Sequence, residues 1–183
     1  MTVATELLSY EHGILRQVID PIKEAAETHT LDKYRTLLGE VTNFLGIYLD
    51  QFHHVKEELF LFPVAIQASE SLRSEIPKLI REHQQAWELL DQMDSAIKAN
   101  AMDRFSESSL ALVEHMTSHI DREERSVFPS IEAHLTPALS LDIKSNYVAF
   151  NAHFGPEFYH NSENFARKVE EKILGPQPFE GKQ

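Results

Sequence analysis

The chain has 183 residues, 42% of them apolar and 25% charged, which suits one soluble domain with a real core. A formal charge of −12 argues against nucleic acid or an anionic membrane as partner. The lack of cysteine excludes disulfides, thiolate metal sites and thiol nucleophiles.

Apolar residues recur at helical spacing nearly throughout, and no stretch alternates long enough to predict a strand. A first helix is expected from about Thr5 to Glu27, and Thr30 is a candidate cap for a second, with Leu37, Leu38, Val41, Phe44, Leu45 and Tyr48 facing the core. Pro63 should kink or end that helix, since it lacks an N–H and its ring crowds the preceding turn. A third helix is expected from Pro77 to about Ala99. A fourth, capped by Asp103, runs toward Pro129, and Thr136-Pro137 starts a fifth. Gly155-Pro156 interrupts before a last amphipathic helix that ends at Gly175. The expected fold is all-α: an up-down-up-down four-helix bundle over residues 1–136, with a C-terminal helical extension over 137–183 packed on it. The opening MTVATELLSYEHGILRQ lacks a basic segment followed by a continuous apolar run, so no signal peptide is expected. No window reaches the length of a membrane span, and a cytoplasmic location follows as the expectation.

Ten histidines are many for this length. Two segments carry them in register: HHVKEELFLFP at 53–63 and HIDREERSVFP at 119–129. At a constant offset of 66 residues, His53 aligns with His119, Glu57 with Glu123, Glu58 with Glu124, Phe62 with Phe128 and Pro63 with Pro129. Each copy is preceded by a Glu-His pair, Glu11-His12 and Glu82-His83. A lone HxxxE is weak evidence, because this composition yields about one by chance, and a lone helical histidine is more often a polar or core residue. The matched flanks and upstream histidines make chance a poor account of the repeated pair.

Residues four apart stand one above the other on a helix, about 5–6 Å between Cβ atoms, so His53/Glu57 and His119/Glu123 each point two donors one way. Two such hairpins, antiparallel, bring His12, His53, His83, His119, Glu57 and Glu123 to one interior level. Imidazole with carboxylate suits iron, with manganese or zinc as alternatives, and a carboxylate can bridge two metals where a neutral imidazole binds one. Glu58 and Glu124 fall about 100° around the helix. They are read as solvent-facing, or as partners that orient a histidine N–H. Glu11 and Glu82 are read as exposed charge more readily than as orienting groups. Phe62 and Phe128 are read as core at the end of the site, and His29, His134, His153 and His160 as surface. Neither Tyr10 nor Tyr48 is placed at the centre by its spacing.

Residues 5–135 resemble the hemerythrin-like family, whose HHE motifs pair a histidine with an HxxxE segment in a four-helix bundle. The resemblance implies two iron ions, oxo- or hydroxo-bridged, held by His12, His53, Glu57, His83, His119 and Glu123. It further implies an open position for a small diatomic or peroxide ligand. Members variously bind or sense dioxygen, peroxide or nitric oxide, disproportionate peroxide, or act in iron handling or repair. Oxygen carriers have HxxxH on the third helix and an aspartate five residues after the fourth-helix histidine. Here the third helix offers only His83, and Glu123 stands four residues after His119. Two further candidates remain: His54, beside the helix-two ligand or else on the bundle flank, and His115, one turn before His119, as ligand or hydrogen-bond partner. A ferritin-like centre would want ExxH on two helices, and the one copy, Glu157–His160, lies in the tail. A metal-free interaction bundle using the acidic surface is the remaining alternative.

Overall fold

The computed structural model describes residues 3–175, among which six helices and no strand are found. Helix α1 is Val3–Glu27. Helix α2 begins as Arg35–Leu45, continues through wider π-helical stretches at Gly46–His54 and Glu57–Leu61, and ends as Phe62–Ala68. Helix α3 is Glu70–Lys98. Helix α4 comprises Met102–Arg122, a π-helical turn at Glu123–Val127 and Phe128–Glu132. Helices α5, Pro137–Asn151, and α6, Phe158–Leu174, complete the chain. Their connections are short, so α1 to α4 form the antiparallel four-helix bundle that the patterning predicts.

The two repeated prolines neither end nor break their helices. Pro63 and Pro129 each deprive the carbonyl four residues earlier of a donor, and each follows a π-helical turn that widens the ladder and relieves the clash. That turn begins at Glu57 in one helix and at Glu123 in the other, so the proline tails shape the backbone under both glutamates.

Other boundaries differ from expectation for local reasons. Helix α3 starts at Glu70, not near Pro77, because the extended Ser69 caps it by accepting from the Leu72 N–H (3.2 Å). Pro77 is tolerated inside. Helix α4 begins at Met102 after Ala101, with no side-chain cap, and Asp103 lies in its first turn. Thr30 donates to the Ala25 carbonyl (3.4 Å), thereby closing the end of α1, and caps no helix. Thr136 does cap α5, accepting from the Leu139 N–H (3.2 Å). Gly155, at φ +90°, makes the reversal between α5 and α6 that a side chain would strain.

The core is divided in two. A larger apolar cluster holds Leu15, Val18, Leu38, Tyr48, Phe52, Ala86, Phe105, Met116 and their neighbours. A smaller one holds Leu8, Leu61, Phe62, Ile76, Leu79, Phe128, Ile143 and Tyr147. All four bundle helices pass from one cluster to the other across a thin layer of buried polar residues: Glu11 and His12, then His53, His54, Lys56 and Glu57, then His83, and last His119 and Glu123. The exposed ion pairs, such as Arg73–Glu70 and Lys78–Glu75, contribute about 0.3–0.5 kcal/mol each and do not decide the fold. Helices α5 and α6 lie along α1, held by an aromatic cluster in which Phe52 meets Phe154 (4.9 Å between ring centres) and Phe158 (4.6 Å). Among the described residues, no helix is long and apolar enough to cross a membrane.

Candidate metal centre

The polar layer brings together all six sequence-derived residues. His12, His53, His83, His119, Glu57 and Glu123 are all buried, and their donor atoms fall into two overlapping sets. His12, His53, Glu57 and Glu123 form one, and His83, His119, Glu57 and Glu123 form the other, with the donors of each within 4.8 Å of one another. The two glutamates belong to both. Glu57 turns Oε1 toward His53 Nε2 (3.7 Å) and Oε2 toward His83 Nε2 (3.4 Å). Glu123 Oε2 lies 3.3 Å from both His12 Nε2 and His119 Nε2.

Each of these histidines is oriented by a carboxylate on its outer nitrogen. The Nδ1–H of His12 donates to Glu124 (2.7 Å), of His53 to Glu11 (2.9 Å), of His83 to Glu58 (2.7 Å) and of His119 to Glu82 (2.9 Å). An ionised carboxylate can only accept, so each Nδ1 carries a proton and each Nε2 faces the interior, where a metal could take its lone pair in place of any second proton. Glu11 and Glu82, expected as exposed helix charges, are thus orienting groups, and Glu11 is fully buried. The aromatic tails also brace the site, with Phe128 stacked on His12 (5.7 Å, 3°) and Phe62 on His83 (5.8 Å, 22°).

His54 points inward, not to the bundle flank. The π-helical wind over Gly46–His54 turns by less than 100° per residue, which lets Phe52, His53 and His54 all be buried in succession. Its ring stacks on that of His83 (3.7 Å, 5°), and His54, His83 and His119 form a third convergent set. His115 is in none of these sets. It is half-buried and donates from Nε2 to the backbone carbonyl of Glu82 (2.8 Å), the residue whose side chain orients His119 one turn further along α4.

The other candidates lie elsewhere. Tyr10 is largely exposed and pairs with Glu163, and Tyr48 is buried in the aromatic cluster against Phe44 and Phe52. His29, His134, His153 and His160 are exposed, as is Glu157, so the tail ExxH does not enter the interior.

Sequence reasoning missed Lys56. It is fully buried, paired with Glu11, and its Nζ stands 3.5 Å from the centre of the Phe52 ring. The signal was present in the repeat, where Arg122 occupies the same place 66 residues on and pairs with Glu82.

The layer is electrostatically unsatisfied on its own. Both oxygens of Glu57 and of Glu123, both nitrogens of His54, and Nε2 of His83 and His119 are buried without a hydrogen bond. Burial, followed by repulsion from Glu123, pushes the Glu57 carboxyl well above the usual range. Burial also opposes ionisation of Glu123, but His119 and His12 outweigh it and hold that carboxyl well below the usual range. Likewise burial disfavours a charged His119, yet Glu123 and Glu82 lift it to about 9. His53, with burial dominant over Glu11, falls to about 4. Buried polar atoms without partners cost on the order of 1–3 kcal/mol each, so this many at one point call for a ligand that satisfies them together.

A cation fits that requirement. The Nε2 atoms of His12 and His53 are 3.0 Å apart, both with Nδ1 already donating. Two imidazoles bonded at right angles to one metal at about 2.1 Å would place their nitrogens at about that separation. A family model, the hemerythrin HHE cation-binding domain, matches residues 3–131. The chain belongs to this family. The matched span covers all of the six convergent residues as well as His54, and stops short of α5 and α6. No curated protein and no solved structure matched the chain. The buried histidine–glutamate cluster lies within the span matched to the cation-binding domain and is compatible with metal binding.

Proposed function

We propose that the centre holds two iron ions and binds or senses a ligand of a few atoms: dioxygen, peroxide or nitric oxide. The observation that carries the reading is the sharing of Glu57 and Glu123 between two convergent sets. Carboxylates that face histidines on both sides are placed to bridge, and histidine with carboxylate is a donor set suited to iron. His12 and His53 would hold one ion, with His83 and His119 holding the other. Iron would supply the redox and ligand-binding chemistry, and the chain's own residues orient the donors and exclude bulk. The metal-facing histidines are at most 4% exposed, so an incoming molecule has to be small.

His54 belongs to this reading as a fifth histidine, on the His83/His119 side. Its two unpartnered buried nitrogens, in one convergent set with His83 and His119, support that assignment. Three histidines would then surround one ion and two the other, leaving the His12/His53 ion with fewer donors and hence the open position. His54→Ile, which copies the residue at Ile120, is expected to weaken one iron and spare the other. Anaerobic titration with ferrous iron checks this, with a second, weaker binding step expected in the variant.

The reading is tested by spectra of the reduced, iron-loaded protein exposed in turn to dioxygen, peroxide and nitric oxide. At least one should give a ligand-specific change that Glu57→Ala abolishes. No change with any of the three would contradict the proposal.

A further inference from the structure

The repeat makes the two halves of the centre nearly equivalent, and the places where equivalence fails are informative. His53 is held by Glu11 and His119 by Glu82, each at 2.9 Å, and each glutamate pairs with the cation that precedes the HxxxE glutamate, Lys56 or Arg122. From there the halves diverge. Glu11 and Lys56 are both 0% exposed, whereas Glu82 is 17% and Arg122 37% exposed.

The difference comes from α6. The Tyr159 hydroxyl donates to Glu11 Oε1 (2.5 Å) and accepts from Lys56 Nζ (3.3 Å) and from Asn151 Nδ2 (3.2 Å). Tyr159, Lys56 and Glu11 thus close a ring of bonds around the carboxylate that orients His53, with the Phe52 face under the ammonium. Among the described residues no such hydroxyl stands on the other side, where Arg122 also reaches Glu75 (3.9 Å) and both Glu82 and Arg122 are open to solvent. Tyr159 and Asn151 lie beyond residue 131, where the family match ends, so the brace is added to the HHE bundle by this chain's extension.

We propose that the extension is a working part of the metal centre: Tyr159, with Lys56, fixes Glu11 and through it His53, and so slows release of the ion at the His12/His53 position without acting on the His83/His119 position. The inference rests on the two-metal reading above. Tyr159 is a positioning residue, acting through Glu11. Charge-assisted bonds in a dry interior are stronger and hold geometry better than the same bonds at a wet surface. Residues that orient a metal-bound histidine typically change metal affinity about 10–100-fold when lost.

The test is release of ferrous iron from the full-length, anaerobically loaded protein into excess chromophoric chelator. Wild type should release in two phases of one iron each. Tyr159→Phe should speed one of the two phases by up to about tenfold and leave the other unchanged. Arg122→Met should do the reverse, speeding only the phase that Tyr159→Phe leaves unchanged. Asn151→Ala, which loosens only the outer end of the Tyr159 contacts, gives the same direction as Tyr159→Phe if that variant does not fold. A helix that merely packs would, on weakening, speed both phases together. That result, or two phases indifferent to Tyr159 and Asn151, overturns the proposal while the two-metal reading stands. A wild type that holds no iron overturns both.

Discussion

Glu123→Ala is expected to empty both proposed metal positions at once, leaving no iron after desalting where wild type should retain two per chain. The reason is geometric. One oxygen of Glu123 faces His12 and His119 equally, and the residue belongs to both four-membered donor sets. Loss of an outer orienting group costs about 10–100-fold in affinity, and loss of a shared anionic donor should cost each position more than that. His12→Ala, which removes a donor from one set only, should retain one iron. The metal-free fold should tolerate Glu123→Ala better than a broken buried ion pair would normally allow. His119 can shed its proton once Glu123 is gone, and Glu57 is relieved of its strongest charged repulsion. Metal analysis paired with thermal denaturation separates the two effects. A variant that keeps one iron would show that Glu123 serves a single ion.

Iron loading should raise thermal stability strongly, and by more at high pH. A ligand that binds only the folded state at 1,000 times its dissociation constant adds about 4 kcal/mol, so two such ions add about 8. For a chain of this size each kcal/mol is about 2–4 °C, which makes the rise on the order of 16–32 °C. The pH dependence follows from His119. Its folded-state pKa, about 9, lies above the ordinary 6.5, so in the metal-free protein its contribution is full below pH 6.5 and is lost as pH rises through 9. Glu57, raised well above 4.5, adds a loss in the same direction. In the loaded protein the metal replaces those protons, and affinity grows as they leave. The gap between loaded and metal-free melting temperatures should therefore widen between pH 6.5 and 9. A gap that narrows over this range would count against His119 as a metal-facing residue.

Much of this architecture was legible in the sequence because the repeat doubles the residues of both HxxxE segments and the histidines upstream of them. His53 gains meaning from His119, and Glu57 from Glu123, while the Glu-His pairs upstream mark the two opposite helices. The same doubling applied to Lys56 and Arg122, yet a cation beside an HxxxE motif reads as surface charge until its burial is seen. Glu11 and Glu82 were misjudged for the same reason: a helical wheel gives the face of a residue but not the depth to which neighbouring helices cover it. His54 has no counterpart, since Ile120 stands in its place. Its inward turn depends on a π-helical wind that no residue pattern in the chain announces. The contribution of Tyr159 was out of reach, because it joins residues 148 positions apart through the packing of α6 on α1. Helix starts were missed where a serine cap, Ser69, outweighed a proline, Pro77.

The claim on which the rest depends is that Glu57 and Glu123 lie between two metal ions. Anomalous diffraction at the iron edge, on crystals grown from anaerobically reconstituted protein, measures this directly. Two peaks per chain are expected, one beside His12 and His53, the other beside His54, His83 and His119, with both glutamates between them. A single peak, or none after full reconstitution, would contradict it.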